Sequence, residues 1–189
     1  RNERFAYDSY RRFIQMFGDV VLEIEHALFE KGLNAKKAKL KAKQDTELDA
    51  AAMKEVVAEF KELVKQQTKK PFPQDPSEQL KLACFAVFNS WNNNRAVTYR
   101  NLNKIPHDLG TAVNVQAMVF GNMGPSSGTG VAFTRDPNTG EKRFFGEYLV
   151  NAQGEDVVAG IRTPNPVSEL KKSMPKLYGE LESIYLKLE

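Results

Sequence analysis

The sequence is short of the groups that build metal and redox chemistry. Among 189 residues there is one cysteine, Cys84, and there are two histidines, His26 and His107. A lone cysteine forms no internal disulfide, which fits a reducing compartment. One cysteine and two distant histidines lack the ligand spacing of a structural zinc site. Long apolar runs are missing, so no segment reads as a membrane span. Arg1 to Arg4 lead into no apolar signal region, so no secretory peptide is expected. No methionine opens the chain, which reads as a piece of something larger. Arginine is absent from Lys31 to Lys70, a stretch of eleven lysines against six acidic residues. Readers of nucleic acid usually rely on arginine, whose planar fork matches phosphates and base edges. The run Lys36 to Lys43 is therefore expected to be a solvent-facing surface without a catalytic role. Neither nucleic acid nor a membrane is expected as a partner.

What is present suits a globular protein that buries a core: 41% hydrophobic and 27% charged residues, net charge +3. The hydrophobic period changes along the chain. Tyr10, Phe13, Ile14 and Phe17 recur at helical spacing, followed by Val21, Ile24, Ala27 and Leu28. Gly18 is expected to separate two helices and Gly32 to stop the second. Leu48, Met53, Val56, Val57, Phe60, Leu63 and Val64 form one stripe on a third helix, ended by Pro71, Pro73 and Pro76. A further helix starts near Ser77, capped by Asp75 or Ser77. It is expected to bury Leu80, Ala83, Cys84, Val87, Phe88 and Trp91, with Cys84 as inert packing. Trp91 beside "NNNR" fits a ligand platform or, more commonly, a core ring with its N–H on a carbonyl.

Beyond Pro106 the period becomes two. Val113, Val115, Ala117 and Val119 alternate with Asn114, Gln116, Met118 and Phe120, which predicts a strand. "GVAFTR" predicts a second, "KRFFGEYLVNAQGED" a third and "VVAGIRTP" a fourth. "DPNTGE" is a turn. Leu177, Leu181, Ile184, Tyr185 and Leu188 are expected on one side of a closing helix. The predicted fold is α+β: a helical subdomain over 1–105, then a β-rich lobe over 106–189.

The stretch "GNMGPSSGTGVAFTR" carries the chemistry. A Walker loop needs a lysine after its last glycine, but valine follows Gly130. A dinucleotide fingerprint needs a glycine that opens a helix, but a strand follows. A glycine-rich loop between antiparallel strands can still fold over phosphates with its N–H groups. A plain hairpin tip fits the loop alone equally well. Hydroxyls at Ser126, Ser127 and Thr129, and an upstream segment able to edge a purine, favour phosphate. Glu147, Glu155, Asp156 and Arg162 fit ribose, metal or phosphate contacts, or plain surface charge.

"SGTGVAFTRDPNTGE" and "GEYLVNAQGEDVVAGIRTP", with "HDLGTAVNVQAMVFGN" and "RFAYDSYRRFIQMFGDVV" before them, resemble the pyruvate, phosphate dikinase family. The resemblance covers nearly the whole chain. A phosphoenolpyruvate synthase domain is the nearest rival, but it has a shorter Gly-Leu-Gly-Glu turn in place of "NAQGED". A different alternative is a non-catalytic interaction module that uses the lysine-rich helical half.

The resemblance implies an incomplete ATP-grasp nucleotide-binding lobe of a multidomain enzyme. That enzyme converts ATP, phosphate and pyruvate to AMP, pyrophosphate and phosphoenolpyruvate through a phosphohistidine on another domain. It implies Mg²⁺ and ATP for the longer protein, with neither held tightly here, and no catalytic or metal-binding residue within this chain. The family's metal carboxylates lie beyond Glu189 and its first phosphate cations before Arg1. Carried over by motif, the adenine strand falls on Gln116, Ala117, Met118 and Val119. The phosphate loop falls on Ser127, Gly128, Thr129 and Gly130, and Glu147, Glu155 and Arg162 flank it. The implied partners are the parent's other domains, in a cytoplasmic or organellar homo-oligomer.

Overall fold

The computed structural model describes residues 2–158, 160 and 162–189. They fall into two compact units, Arg1–Gln116 and Ala117–Glu189. Among the described residues no helix is long and apolar enough to cross a membrane.

Helix α1 (Glu3–Val20) begins where the Asn2 side chain accepts the Phe5 N–H at 3.0 Å. It packs mainly on α3 (Ala50–Thr68), which Asp49 caps through the Ala52 N–H at 2.8 Å. The expected α3 stripe forms the core: Leu48, Met53, Val56, Val57, Phe60 and Val64 are buried. Helix α2 (His26–Leu40) adds Phe29 and Leu33, and Phe29 meets Phe60 edge-on at 5.0 Å between ring centres.

Two expected helix breaks are overturned. Gly18 lies inside α1, where an added Cβ would press on the Phe29 ring, 2.9 Å from its Cε2. Its bareness admits a buried aromatic rather than ending a helix. Gly32 lies inside α2, which runs on to a stop at Lys41 with φ 57°. Lys69 and Lys104 end α3 and α5 (Asn94–Asn103) in the same left-handed conformation. Glycine is the usual residue there, so these stops leave no mark in the sequence.

The lysine run is not uniformly solvated either. Lys36 is 7% exposed and its Nζ reaches Glu55 and Glu59 of α3 at 2.8 Å each. Those hydrogen bonds raise the Lys36 pKa, and the hydrogen bond from Lys36 lowers that of Glu55. A lowered carboxylate stabilises the fold above the ordinary glutamate range, and that stability is lost as pH falls through its folded value. The raised lysine acts likewise up to the ordinary lysine range and loses its effect as pH rises through its own folded value. The stability advantage of wild type over Lys36→Met is thus expected to be full near neutrality. It should shrink as pH drops below about 4. Urea unfolding of both proteins across pH checks this, and parallel curves would contradict it.

Helix α4 (Pro76–Ser90) starts as expected, with Asp75 accepting from the Ser77 and Glu78 N–H groups at 3.3 and 3.2 Å. Its predicted buried stripe is overturned. Leu80, Val87 and Phe88 are exposed and Cys84 and Trp91 half-buried, while Leu82 leans on the core. Periodicity identifies an apolar face, but not what covers it. The Trp91 indole N–H does reach a carbonyl, that of His107, at 3.1 Å. Arg100 lies over the Trp91 ring, 3.9 Å from its centre, and donates from Nε to His107 Nδ1 at 3.1 Å.

The second unit is built on an antiparallel sheet, β1 (Gly128–Phe133), β2 (Phe145–Val150) and β3 (Asn165–Pro166), in that order. The predicted turn joins the first two strands. Asp136, 2% exposed, accepts the Asn138 N–H at 2.9 Å and pairs with Arg143. The Arg143 hydrogen bond, then the Asn138 N–H, hold its carboxyl below the usual range.

The closing helix, α8 (Pro175–Leu188), follows the single turn α7 (Leu170–Ser173). Its buried face is only partly the predicted one: Tyr185 is buried as expected and Leu181 packs on the cluster around Val167, Leu170 and Tyr178. Tyr178 and Tyr185 are buried, with Phe144 stacked on Tyr185 at 5.3 Å, while Leu177, Ile184 and Leu188 are exposed. Tyrosine pairs large apolar area with a polar tip, and two of them outcompete Leu177 and Leu188.

Two predicted strands are absent among the described residues. Residues 111–120 alternate in hydrophobicity but pair with no strand, and Val115, Met118 and Val119 are exposed. Alternation makes a segment fit for a sheet, but hydrogen-bonding partners make it a strand. The predicted fourth strand begins instead as the helix α6 (Gly154–Val158), and its Ala159 and Ile161 lie outside the described residues.

Candidate phosphate loop

Loop 121–127 folds against turn 151–153. The Ala152 N–H donates to the Gly121 carbonyl at 3.0 Å and the Asn151 N–H to the Ser127 carbonyl at 2.8 Å. Within the loop, the Ser127 N–H donates to the Gly124 carbonyl at 3.0 Å. Beneath this seam Gln153 Nε2 donates to Asn122 Oδ1 at 2.9 Å, and each residue is only 8% exposed. Gly121 is confined between two backbones, since an added Cβ would lie 2.6 Å from the Gly128 carbonyl oxygen and closer still to that of Ala152.

The chain then enters β1. Gly128 pairs with Val150, Thr129 with Leu149, Gly130 with Tyr148 and Val131 with Glu147. Strand alternation puts Thr129 and Val131 on one face, along with Leu149 and Glu147 of β2. Gly128 and Gly130 occupy the other. A Cβ on Gly130 would sit 2.6 Å from the Glu147 carbonyl oxygen, and one on Gly128 2.9 Å from that of Leu149. Their bareness is thus required by the hairpin itself, whatever else approaches them.

The structure brings Ser127, Gly128, Thr129, Gly130 and Glu147 together on one hairpin. Ser127 and Thr129 are half-buried, and Gly128, Gly130 and Glu147 exposed. Glu155 is exposed in the first turn of α6. Arg162 faces inward, donating to the Val150 and Asn151 carbonyls at 3.1 and 3.2 Å. In this arrangement its guanidinium buttresses the end of β2. Gln116 closes the first unit, while Ala117, Met118 and Val119 open the second, and all four are exposed. Sequence reasoning missed Asn122. Its only signal is a polar residue between Gly121 and Met123, in a segment judged by its glycines.

Among the described residues, no three His, Cys, Asp or Glu side chains converge as a metal site.

A family model described as the pyruvate phosphate dikinase, AMP/ATP-binding domain matches residues 32–183. The chain belongs to this dikinase family. It is 59% identical over 179 residues to pyruvate, phosphate dikinase 1, chloroplastic, of Oryza sativa subsp. japonica, covering 95% of this chain and 19% of that protein. It is 56% identical over 198 residues to the pyruvate, phosphate dikinase of Rhizobium meliloti, covering 98% and 22%. The Clostridium symbiosum dikinase is 56% identical over 189 residues, covering 100% and 22%. The chain thus spans about a fifth of the length of these dikinases. The family match takes in both the seam and the hairpin, and extends back into the helical unit.

Proposed function

We propose that the second unit supplies one wall of an ATP cleft, within an ATP-grasp lobe of a pyruvate, phosphate dikinase. The observation that carries the reading is loop 121–127, held at Gly121 and Ser127 by backbone hydrogen bonds and opening directly into the "GTG" start of β1. A backbone fixed in this way presents N–H groups to an anion without reorganising. In the longer protein this wall would help to align ATP for transfer to a histidine on another domain. The overall conversion would be of ATP, phosphate and pyruvate to AMP, pyrophosphate and phosphoenolpyruvate. Ser127 and Thr129 would bind phosphate beside Gly128 and Gly130. Gln116, Ala117, Met118 and Val119 would edge the adenine, and Glu147, Glu155 and Arg162 would flank the nucleotide. Mg²⁺ would be held by groups outside this chain. Its partners would be the remaining domains of a cytoplasmic or organellar homo-oligomer, and the domain boundary would lie near Pro106.

The test is an NMR titration of this chain with Mg·ATP. Perturbations should cluster at Ser127 to Gly130, with an affinity on the order of millimolar, about 4 kcal/mol. Thr129→Val should reduce them without disturbing α8. The chain should form no AMP by itself. Salt-sensitive changes confined to Lys36–Lys43 would favour an interaction module and overturn the proposal.

A further inference from the structure

We infer that the buried amide pair Asn122–Gln153 is a positioning clamp that sets where the glycine-rich loop lies. The inference rests on the nucleotide reading given above, and it assigns a role to two residues that do not themselves touch phosphate.

The pair joins two segments far apart in sequence, the start of the loop and the turn after β2. Gln153 Nε2 donates to Asn122 Oδ1 at 2.9 Å, with both residues buried. Two further links cross the same seam, and a third fixes the turn on its own side. The Ala152 N–H donates to the Gly121 carbonyl, the Asn151 N–H to the Ser127 carbonyl, and the Gln153 N–H to Asp156 Oδ2 at 2.8 Å. The loop is thereby pinned at Gly121, Asn122 and Ser127, immediately before the Gly128–Gly130 segment.

Stability alone does not explain the pair. Asn122 Nδ2 is buried and has no hydrogen-bond partner among the described residues. A buried donor left open carries its desolvation penalty without return. Two apolar residues of like volume would avoid that penalty, and buried polar pairs are often replaceable in this way without loss. An apolar contact, however, slides, whereas a hydrogen bond fixes both distance and direction. The hydrophobic cluster of this unit is centred on Val167, Leu170 and Tyr178, and the fully buried Ala152 beside Gln153 is not part of it. The amide pair therefore sets position at a site the core does not reach. A loop that presents N–H groups to phosphate needs such placement, because misplacement by about 1 Å can cost on the order of a hundredfold.

The experiment uses this chain and the variants Gln153→Leu, Asn122→Leu and Asn122→Asp. The last keeps an oxygen acceptor for Gln153 and removes the open donor. Amide hydrogen exchange is read at Ser127, Asn151 and Ala152, whose N–H groups bond across or within the loop, and at Tyr178 in α8. ATP-induced NMR shifts are read at Thr129 and Gly130. Gln153→Leu and Asn122→Leu should speed exchange at the three seam amides about tenfold, leave Tyr178 within twofold, and weaken the ATP response. Asn122→Asp should restore both readouts.

Seam exchange unchanged in the two leucine variants would overturn the clamp while leaving the nucleotide proposal standing. Equal acceleration at Tyr178 would make the pair a general stabiliser and likewise overturn it. A loosened seam with an undiminished ATP response would also overturn it, by separating loop position from binding. If wild type gives no response at Thr129 or Gly130, the nucleotide reading itself fails and takes the positioning role with it.

Discussion

Phe60→Ala is expected to cost the helical unit about 3–5 kcal/mol, the range for deleting a fully buried aromatic ring. Phe60 is 1% exposed and stands edge-on to Phe29, itself fully buried. Phe29 in turn lies against Gly18 of α1, so the ring holds the contact among α1, α2 and α3. Alanine would leave a cavity that three helices must close together. Domains of this size are stable by about 5–15 kcal/mol in all, so the variant should lose roughly a fifth or more of that. Urea unfolding followed by helical circular dichroism measures the loss. Leu102→Ala, at a residue 78% exposed, should change stability by no more than about 0.5 kcal/mol. A loss below about 1 kcal/mol for Phe60→Ala would mean that the three-helix core is not packed as described.

The second large effect is expected at Gly146→Val. An added Cβ would lie 2.7 Å from the Ala132 Cα and closer still to the Val131 carbonyl oxygen on β1. Those are backbone atoms, which cannot turn aside as a side chain can. Overpacking of this kind costs about 3 kcal/mol, and here it falls on the central strand of a three-stranded sheet. The β1–β2 amides should lose exchange protection together, while α3 in the other unit keeps its own. Retained protection at Thr129 and Val131 would refute the close approach. Gly130 faces the same constraint through the Glu147 carbonyl. A bulky residue at Gly130 would therefore confuse a folding defect with lost phosphate binding, and Thr129 is the cleaner probe.

The features legible in the sequence were those written in local chemistry. The α3 stripe, the Asp75 cap before Pro76, the Asp136 turn and the β1–β2 hairpin all carry their cause within a few residues. The misread features depend on partners distant in sequence. Gly18 looked like a break because its neighbour Phe29 lies on another helix. Lys36 looked solvated because Glu55 and Glu59 come from α3. Residues 111–120 have the alternation of a strand but no strand beside them. The loop residues Ser127 to Gly130 were visible as a motif. The buried pair that supports them was not, since Asn122 and Gln153 are thirty-one positions apart and neither belongs to a periodic pattern.

The knot of Trp91, Arg100 and His107 bears on which imidazole can take part in chemistry. The Arg100 Nε–H can only donate, so His107 Nδ1 must accept, and its proton therefore sits on Nε2. That proton has its own acceptor, Asn101 Oδ1, at 3.0 Å. Both ring nitrogens are committed, one by its lone pair and one by its hydrogen. An imidazole in that state can offer its electron pair to a phosphorus atom or a metal only by giving up the Arg100 hydrogen bond. His107 is in effect a spacer between an arginine and an asparagine.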